Sequence, residues 1–234
     1  MKKIIFIPAN EFVKENLNPP KPSKKYLPGW YKNGEYFISG DKLEVDNYGT
    51  NLGMKSCMSY LDSISHGYMV ELWTDVHVSK TEDGMPKVSW TNTPDPIMTR
   101  HPGLGASIPR PVGHDDSMLN WILQWGVELP KGYSMLMTHP LNRSDLPFTT
   151  LSGIVDSDTY VGEGKVPFFI NKDFQGVIPA GTPIMQLIPI KRNKWIGLTG
   201  RKRIMKKRDH QQWTLRTSVS GYYKKNFRQA KDFD

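Results

Sequence analysis

Apolar and polar positions along this chain alternate mostly with a period of two and only once at length with a helical period. From Tyr68 to Val78, the residues Val70, Leu72, Val76 and Val78 fall on one side and Glu71, Trp73, Asp75 and His77 on the other, which predicts a strand. Further strands are predicted over Ile4–Ile7, Lys87–Trp90 after the turn Thr81-Glu82-Asp83-Gly84, Ser134–Thr138, Val166–Ile170, a short run around Val177, and Ile184–Ile190. Asn51–His66 is the best helix: Met54, Cys57, Met58, Leu61 and Ile64 recur at three- and four-residue spacing, and Gly67 is placed to end it. Met118–Trp125 is a compact apolar stretch with two tryptophans, suited to a core or a subunit contact.

Turn-forming residues decide the class. With 20 glycines and 18 prolines in 234 residues, many short strands joined by turns are favoured, so the expectation is a mainly β fold with one or two short helices. Asn18–Lys25, with three prolines, reads as an extended linker. Tyr26–Tyr31 follows with three aromatics, as a loop plugged into its own core or, alternatively, an arm for another subunit. Thr91–Asp116 reads as a long loop carrying His101 and His114, and His114-Asp115-Asp116 is a candidate contributor of charge to a site. The chain then divides into a strand with a Pro-rich arm (1–50), a β-rich core (51–192) and a tail (193–234). The single cysteine, Cys57, cannot form an intramolecular disulfide, which points to a reducing compartment, and its place on the helix stripe predicts a buried side chain. No run approaches the roughly 20 apolar residues that span a bilayer, so no membrane partner is expected, and a cytoplasmic location is.

Charge separates the tail from the rest. The net charge is +8, yet residues 191–234 hold 14 of the 31 Lys and Arg and 3 of the 23 acids, leaving residues 1–190 slightly acidic. Arg201, Lys202, Arg203, Lys206, Lys207 and Arg208 form the densest patch, a candidate polyanion-binding surface, with a solvated extension as the plainer reading. Trp213, Tyr222, Tyr223 and Phe227 are interleaved with Lys and Arg, a pattern compatible with stacking on single-stranded nucleic acid.

The candidate chemistry concentrates in Leu151–Ile190. Gly153-Ile154-Val155 leads into Asp156 and Asp158, then Tyr160 in a glycine-bearing turn, so the segment reads as a β-hairpin with two carboxylates and a tyrosine at its tip. The acids can equally serve as turn caps. Upstream, Arg143-Ser144 offers a fork of donors and a hydroxyl suited to phosphate, twelve residues before Asp156 and able to converge with it at one sheet end. Glu71, Asp75 and His77, on one strand face, are weak candidates for a divalent metal.

Taken together, Lys131–Arg192 resembles the core of the dUTPase and dCTP deaminase superfamily. Gly153-Ile154-Val155-Asp156-Ser157-Asp158 fits that family's third motif, with Thr159 inserted before Tyr160, and Gly162 follows. Ala180-Gly181-Thr182-Pro183-Ile184-Met185-Gln186-Leu187 is similar to its later turn and strand, and Asn142-Arg143-Ser144-Asp145 to its phosphate-contacting element. The resemblance implies a β-clip or distorted jelly-roll fold, a homotrimer with sites at subunit interfaces, and a phosphorylated nucleotide as ligand. It implies Asp156 as the carboxylate that activates water, Tyr160 as the sugar platform, Arg143 and Ser144 at phosphate, and Gly153 and Asp158 within the nucleotide-binding motif. Mg²⁺ would be required only for hydrolysis. The family's first motif has no counterpart, and a basic, aromatic end replaces its glycine-rich lid, which shifts the expectation from hydrolysis toward binding or sequestering. The N-terminal half resembles proteins of tailed phages, which implies a phage protein acting in the host cytoplasm or, with the same fold and no ligand, a virion or assembly component (decoration, neck or tail) contacting other virion proteins or DNA.

Overall fold

A computed structural model gives the fold and describes residues 2–44, 50–90, 97–99, 107–162, 164–200 and 221–233. Its elements in chain order are β1 (Ile5–Pro8), α1 (Glu11–Asn16), β2 (Lys21–Pro22), α2 (Gly29–Asn33), α3 (Met58–Ser65), β3 (Tyr68–Glu71), β4 (Val76–Lys80), β5 (Pro86–Ser89) and β6 (Ile97–Thr99). They continue with β7 (His114–Ile122), β8 (Trp125–Glu128), β9 (Tyr133–Thr138), β10 (Phe148–Thr150), β11 (Gly153–Val155), β12 (Lys165–Asn171), β13 (Gly176–Ile178), β14 (Pro183–Lys191) and α4 (Tyr222–Asn226). The protein is mainly β, with few short helices, as the turn-rich composition predicts.

The chain forms two compact units that cut across its linear order. Met1–Ser23 and Gly67–Arg192 make the first; Lys24–His66 and Asn193–Asp234 make the second. All paired strands among the described residues of the first unit run antiparallel, in sheets ordered β11-β9-β14-β3-β2, β10-β12-β7-β6, β13-β4-β5 and β1-β8. The two larger sheets share one hydrophobic core. β14 lies between β9 and β3, and its buried run from Pro183 to Ile188 explains a sequence that is apolar except at Gln186, where a one-faced strand would alternate. Met135, Met185, Leu187 and Val70 of that sheet join Trp121, Phe148 and Phe168 of the other. Trp121 stacks on Phe168 at 3.7 Å and meets Phe148 edge-on at 5.0 Å, and its indole N–H is bonded to Thr150 Oγ1 at 3.0 Å. The Met118–Trp125 stretch is thus core at Trp121.

Two sequence expectations need correction here. Tyr68–Val78 is not one strand: β3 ends at Glu71, β4 begins at Val76, and the two belong to different sheets. Leu72 instead pairs its backbone with the Pro179–Thr182 turn, which ends the β3 ladder. The supposed hairpin is also not one. β11 pairs with β9 while β12 pairs with β7 and β10, so residues 156–164 carry the chain from one sheet to another.

In the second unit, the expected helix 51–66 contracts to a single turn at Met54–Ser56 followed by α3, with Cys57 between them. Cys57 is exposed, contrary to the stripe reading, because the break before α3 turns it out of the apolar face. Gly67, at φ +71°, follows the helix in the left-handed conformation expected of a terminating glycine. Tyr31 is buried and stacks on Tyr60 at 6.0 Å, so of the 26–31 aromatics Tyr31 plugs into its own core, whereas Trp30 is exposed. The C-terminal segment 221–233 is fastened to α3. Arg228 grips the Asp62 carboxylate through Nε and Nη2, the latter at 2.6 Å, and Lys231 adds a bond of 2.9 Å.

Candidate functional site

The site is built at the start of β9, where the 156–164 crossing and the end of β14 converge. Antiparallel pairing sets Val155 opposite Met135 and Lys191 opposite Tyr133, so Asp156 and Arg192 both emerge beside Ser134. Ser134 donates its hydroxyl to Asp156 Oδ1 at 2.6 Å, and Arg192 Nη1 lies 3.0 Å from the same oxygen. The Arg192 fork then closes on Asp158, with Nη1 2.8 Å from Oδ1 and Nη2 on Oδ2. Asp158 also accepts the Gly132 amide at 2.7 Å.

The two acids differ in kind. Asp158 has a side chain only 2% exposed and is fully committed to Arg192 and Gly132, so it fastens the crossing to the turn before β9. Asp156 is 61% exposed and keeps a solvent-facing carboxylate. Its pKa lies below the usual aspartate value, chiefly because the Ser134 hydroxyl bonds the charged form, with Arg192 adding to it. That of Asp158 is lowered first by the Arg192 bond and then by the Gly132 amide. The extra Thr159 is absorbed in a turn: the amides of Thr159 and Tyr160 both bond to Asp156 O, at 3.0 and 2.9 Å, so no strand register shifts. Tyr160 is 58% exposed, and its ring folds over Gly162, where an added Cβ would meet the ring at 2.5 Å.

Behind this turn, where β11 and β12 part toward their separate sheets, lies a pocket of about 150 Å³. Its walls include Gly153 and Val155 of β11, Val166 and Pro167 of β12, Tyr160, and Trp125. The chamber is mostly apolar, with Ser157, Tyr160, Gly162 and Gly164 around it.

Arg143 and Ser144 are elsewhere in the same chain. Their loop leaves the far end of β9, after Thr138, whereas Asp156 sits beside Ser134, and these two ends of the strand are about 13 Å apart. Convergence at one sheet end is therefore not found within one chain. The Arg143 guanidinium is engaged by Asp145 through bonds of 2.8 and 2.9 Å, and Ser144 is exposed. The loop is shaped from beneath. Gln186, fully buried in the centre of β14, accepts the Leu141 amide on Oε1 at 2.9 Å. His139 Nδ1 accepts the Thr150 amide, so Nε2 carries the proton and donates to Arg143 O at 3.0 Å. Burial pushes the His139 pKa down, which keeps the ring neutral as this pairing requires.

The proposed metal trio is dispersed by the break between β3 and β4. Glu71 bonds Lys21 at 2.7 Å, Asp75 accepts the Ala180 amide, and His77 is exposed on β4; among the described residues no group of three such ligands gathers. His114 bonds Thr149 Oγ1, Asp115 accepts the Ser117 amide, and Asp116 pairs with Arg110, so that trio, at the start of β7 and not in a loop, is engaged by its neighbours. Arg201, Lys202, Arg203, Lys206, Lys207 and Arg208, with Trp213 and His101, lie outside the described residues. No helix among the described residues is long and apolar enough to cross a membrane.

Sequence reasoning missed Ser134, Arg192, Gln186, His139 and Trp125. Strand pairing carries each to its place, and pairing has no local signal; only the buried polar Gln186 inside an apolar strand was conspicuous. The sequence matches no protein-family model and no curated protein.

Proposed function

We propose that this chain is a phage-encoded, dUTPase-like protein of the β-clip class that binds or sequesters a phosphorylated nucleotide, as a homotrimer. The observation that carries the reading is the pocket between β11 and β12, with Tyr160 in its wall and the exposed Asp156 in the chain between two of its lining residues, Val155 and Ser157. An apolar chamber of about 150 Å³ beside an aromatic ring has room for one ring, which suits a base, with the sugar outside it against Tyr160. In a trimer, Arg143 and Ser144 would come from a neighbouring subunit, which accommodates their distance from Asp156 within one chain. Arg143 would exchange Asp145 for phosphate as it binds.

The electrostatics favour binding over turnover. A carboxylate stabilised by a guanidinium and a hydroxyl is a weaker base toward water than a free one. Sequestration therefore outranks hydrolysis, and Mg²⁺ enters only if hydrolysis is found. The test is a panel of nucleoside mono-, di- and triphosphates. A ligand at a hundred times its Kd stabilises by about 2.7 kcal/mol, or a Tm rise of roughly 5–10 °C. Stabilisation without product supports sequestration, product release makes the protein an enzyme, and neither removes the site. Sedimentation analysis tests the trimer.

A second reading, a virion or assembly component, is favoured by one observation. Trp195, Ile196 and Leu198 lie in the open within four residues, Trp195 at 85% exposure, and adjoining exposed apolar side chains commonly mark a protein contact. Mass spectrometry of purified particles decides it.

A further inference from the structure

A second cavity of the first unit, about 190 Å³, shares only Trp125 with the pocket described above and has no role in the proposed function. It lies among the end of β3, the β7–β8 turn and the turn before β14, and its walls include Asn18, Glu71, Trp73, Gln124, Trp125 and Gly181. Two of its walls share an unusual property. The indole N–H groups of Trp73 and Trp125 are both buried, and neither has a hydrogen-bond partner.

An indole N–H is a donor only, and a buried donor without an acceptor forfeits its hydration for nothing, so such groups are rare in folded proteins and call for an explanation. Here two of the three unpaired buried side-chain polar atoms among the described residues belong to the walls of one cavity. Both rings border it, and because neither Nε1 is exposed as the rings now sit, the rings must turn to offer their N–H groups to an occupant. The cavity also presents an acceptor: the Glu71 carboxylate, held in place by Lys21 at 2.7 Å and Asn18 at 3.3 Å. The space exceeds the roughly 150 Å³ that admits a benzene ring. Two donors facing carbonyl oxygens, and one acceptor facing an N–H, complement the edge of a cyclic imide.

We propose that this cavity is a second ligand site, taking a small planar ring with carbonyl acceptors and a ring N–H, of the cyclic imide or lactam class, held by Trp73, Trp125 and Glu71.

The test titrates succinimide into the full chain labelled with ¹⁵N-tryptophan. Seven indole signals are expected, and Trp73→Phe and Trp125→Phe assign two of them. The expected result is a saturable downfield shift of both, a weaker response to the single carbonyl of δ-valerolactam, and no downfield shift with xenon. Glu71→Gln should weaken succinimide roughly tenfold, the worth of one hydrogen bond to a charged acceptor. Absence of a saturable shift in the wild-type protein would overturn the proposal, whatever the variants do. So would an equal response to xenon, or slow-exchanging water at both indoles that succinimide leaves in place.

Discussion

Asp62→Ala should release the C-terminal segment of the second unit while leaving that unit's aromatic cluster in place. The Asp62 side chain is only 11% exposed and accepts Arg228 through Nε and Nη2 as well as Lys231 Nζ. Removing one partner of a fully buried pair costs about 3–5 kcal/mol. Arg228 and Lys231 are 24% and 38% exposed and can rehydrate, so the cost falls to about 2–3 kcal/mol. That corresponds to about 30- to 150-fold faster opening of the segment. Amide hydrogen exchange reads it at Lys225 and Phe227, whose N–H groups bond to Gly221 O and Tyr223 O. Asp232→Ala is the control, because its carboxylate is 83% exposed and 4.0 Å from Lys24; it should change exchange less than twofold. A change below threefold in Asp62→Ala would refute the latch. The pH dependence follows in sign. Bonding to Arg228 lowers the Asp62 pKa, so the stabilisation is complete above the ordinary aspartate value of about 3.9 and is lost only as pH falls through the lower folded value.

Tyr160→Ala, at an exposed ring, should leave Tm within a degree or two but cut nucleotide affinity about tenfold, measured by calorimetry; unchanged affinity would detach Tyr160 from the pocket's role. Asp156→Asn should keep nucleotide binding within about threefold and abolish any phosphate release, since the Ser134 bond survives and the charge does not. Thr150→Val should cost about 2 kcal/mol, a Tm fall of roughly 4–8 °C, because Trp121 Nε1 loses its acceptor and Ile184 O its donor; a wild-type Tm would discount that network. Acid should loosen the crossing before it loosens the core. Asp156 and Asp158 both have lowered pKa values, so exchange of the Gly132 amide, stable above about pH 4, should quicken as pH falls through their folded values.

Most strands were legible because their signal is local. Ser134–Thr138, Val166–Ile170 and Ile184–Ile190 each emerge within a residue or two of expectation. Partnership was not. Gly153–Val155 and Val166–Ile170 are joined by a turn-rich stretch that reads as a hairpin, yet the pairing energy lies with β9 on one side and β7 on the other. Tyr68–Val78 alternates without interruption, and nothing in its pattern marks where Leu72 abandons the ladder for the 179–182 turn. The candidate site follows the same rule. Asp156, Asp158 and Tyr160 stand out by spacing, whereas Arg192 and Ser134, which set the acids' charge and posture, arrive by register alone.

Gln186 carries a consequence for variation. Because a side chain from the middle of a sheet dictates where the Leu141 amide sits, the loop after β9 inherits its shape from the floor beneath it. Position 144 is thereby released from the task of folding the loop, and substitution there can retune what the loop contacts without redrawing its path. A change at Gln186, forty-odd positions downstream, would do the reverse: an untouched loop sequence would lose its form.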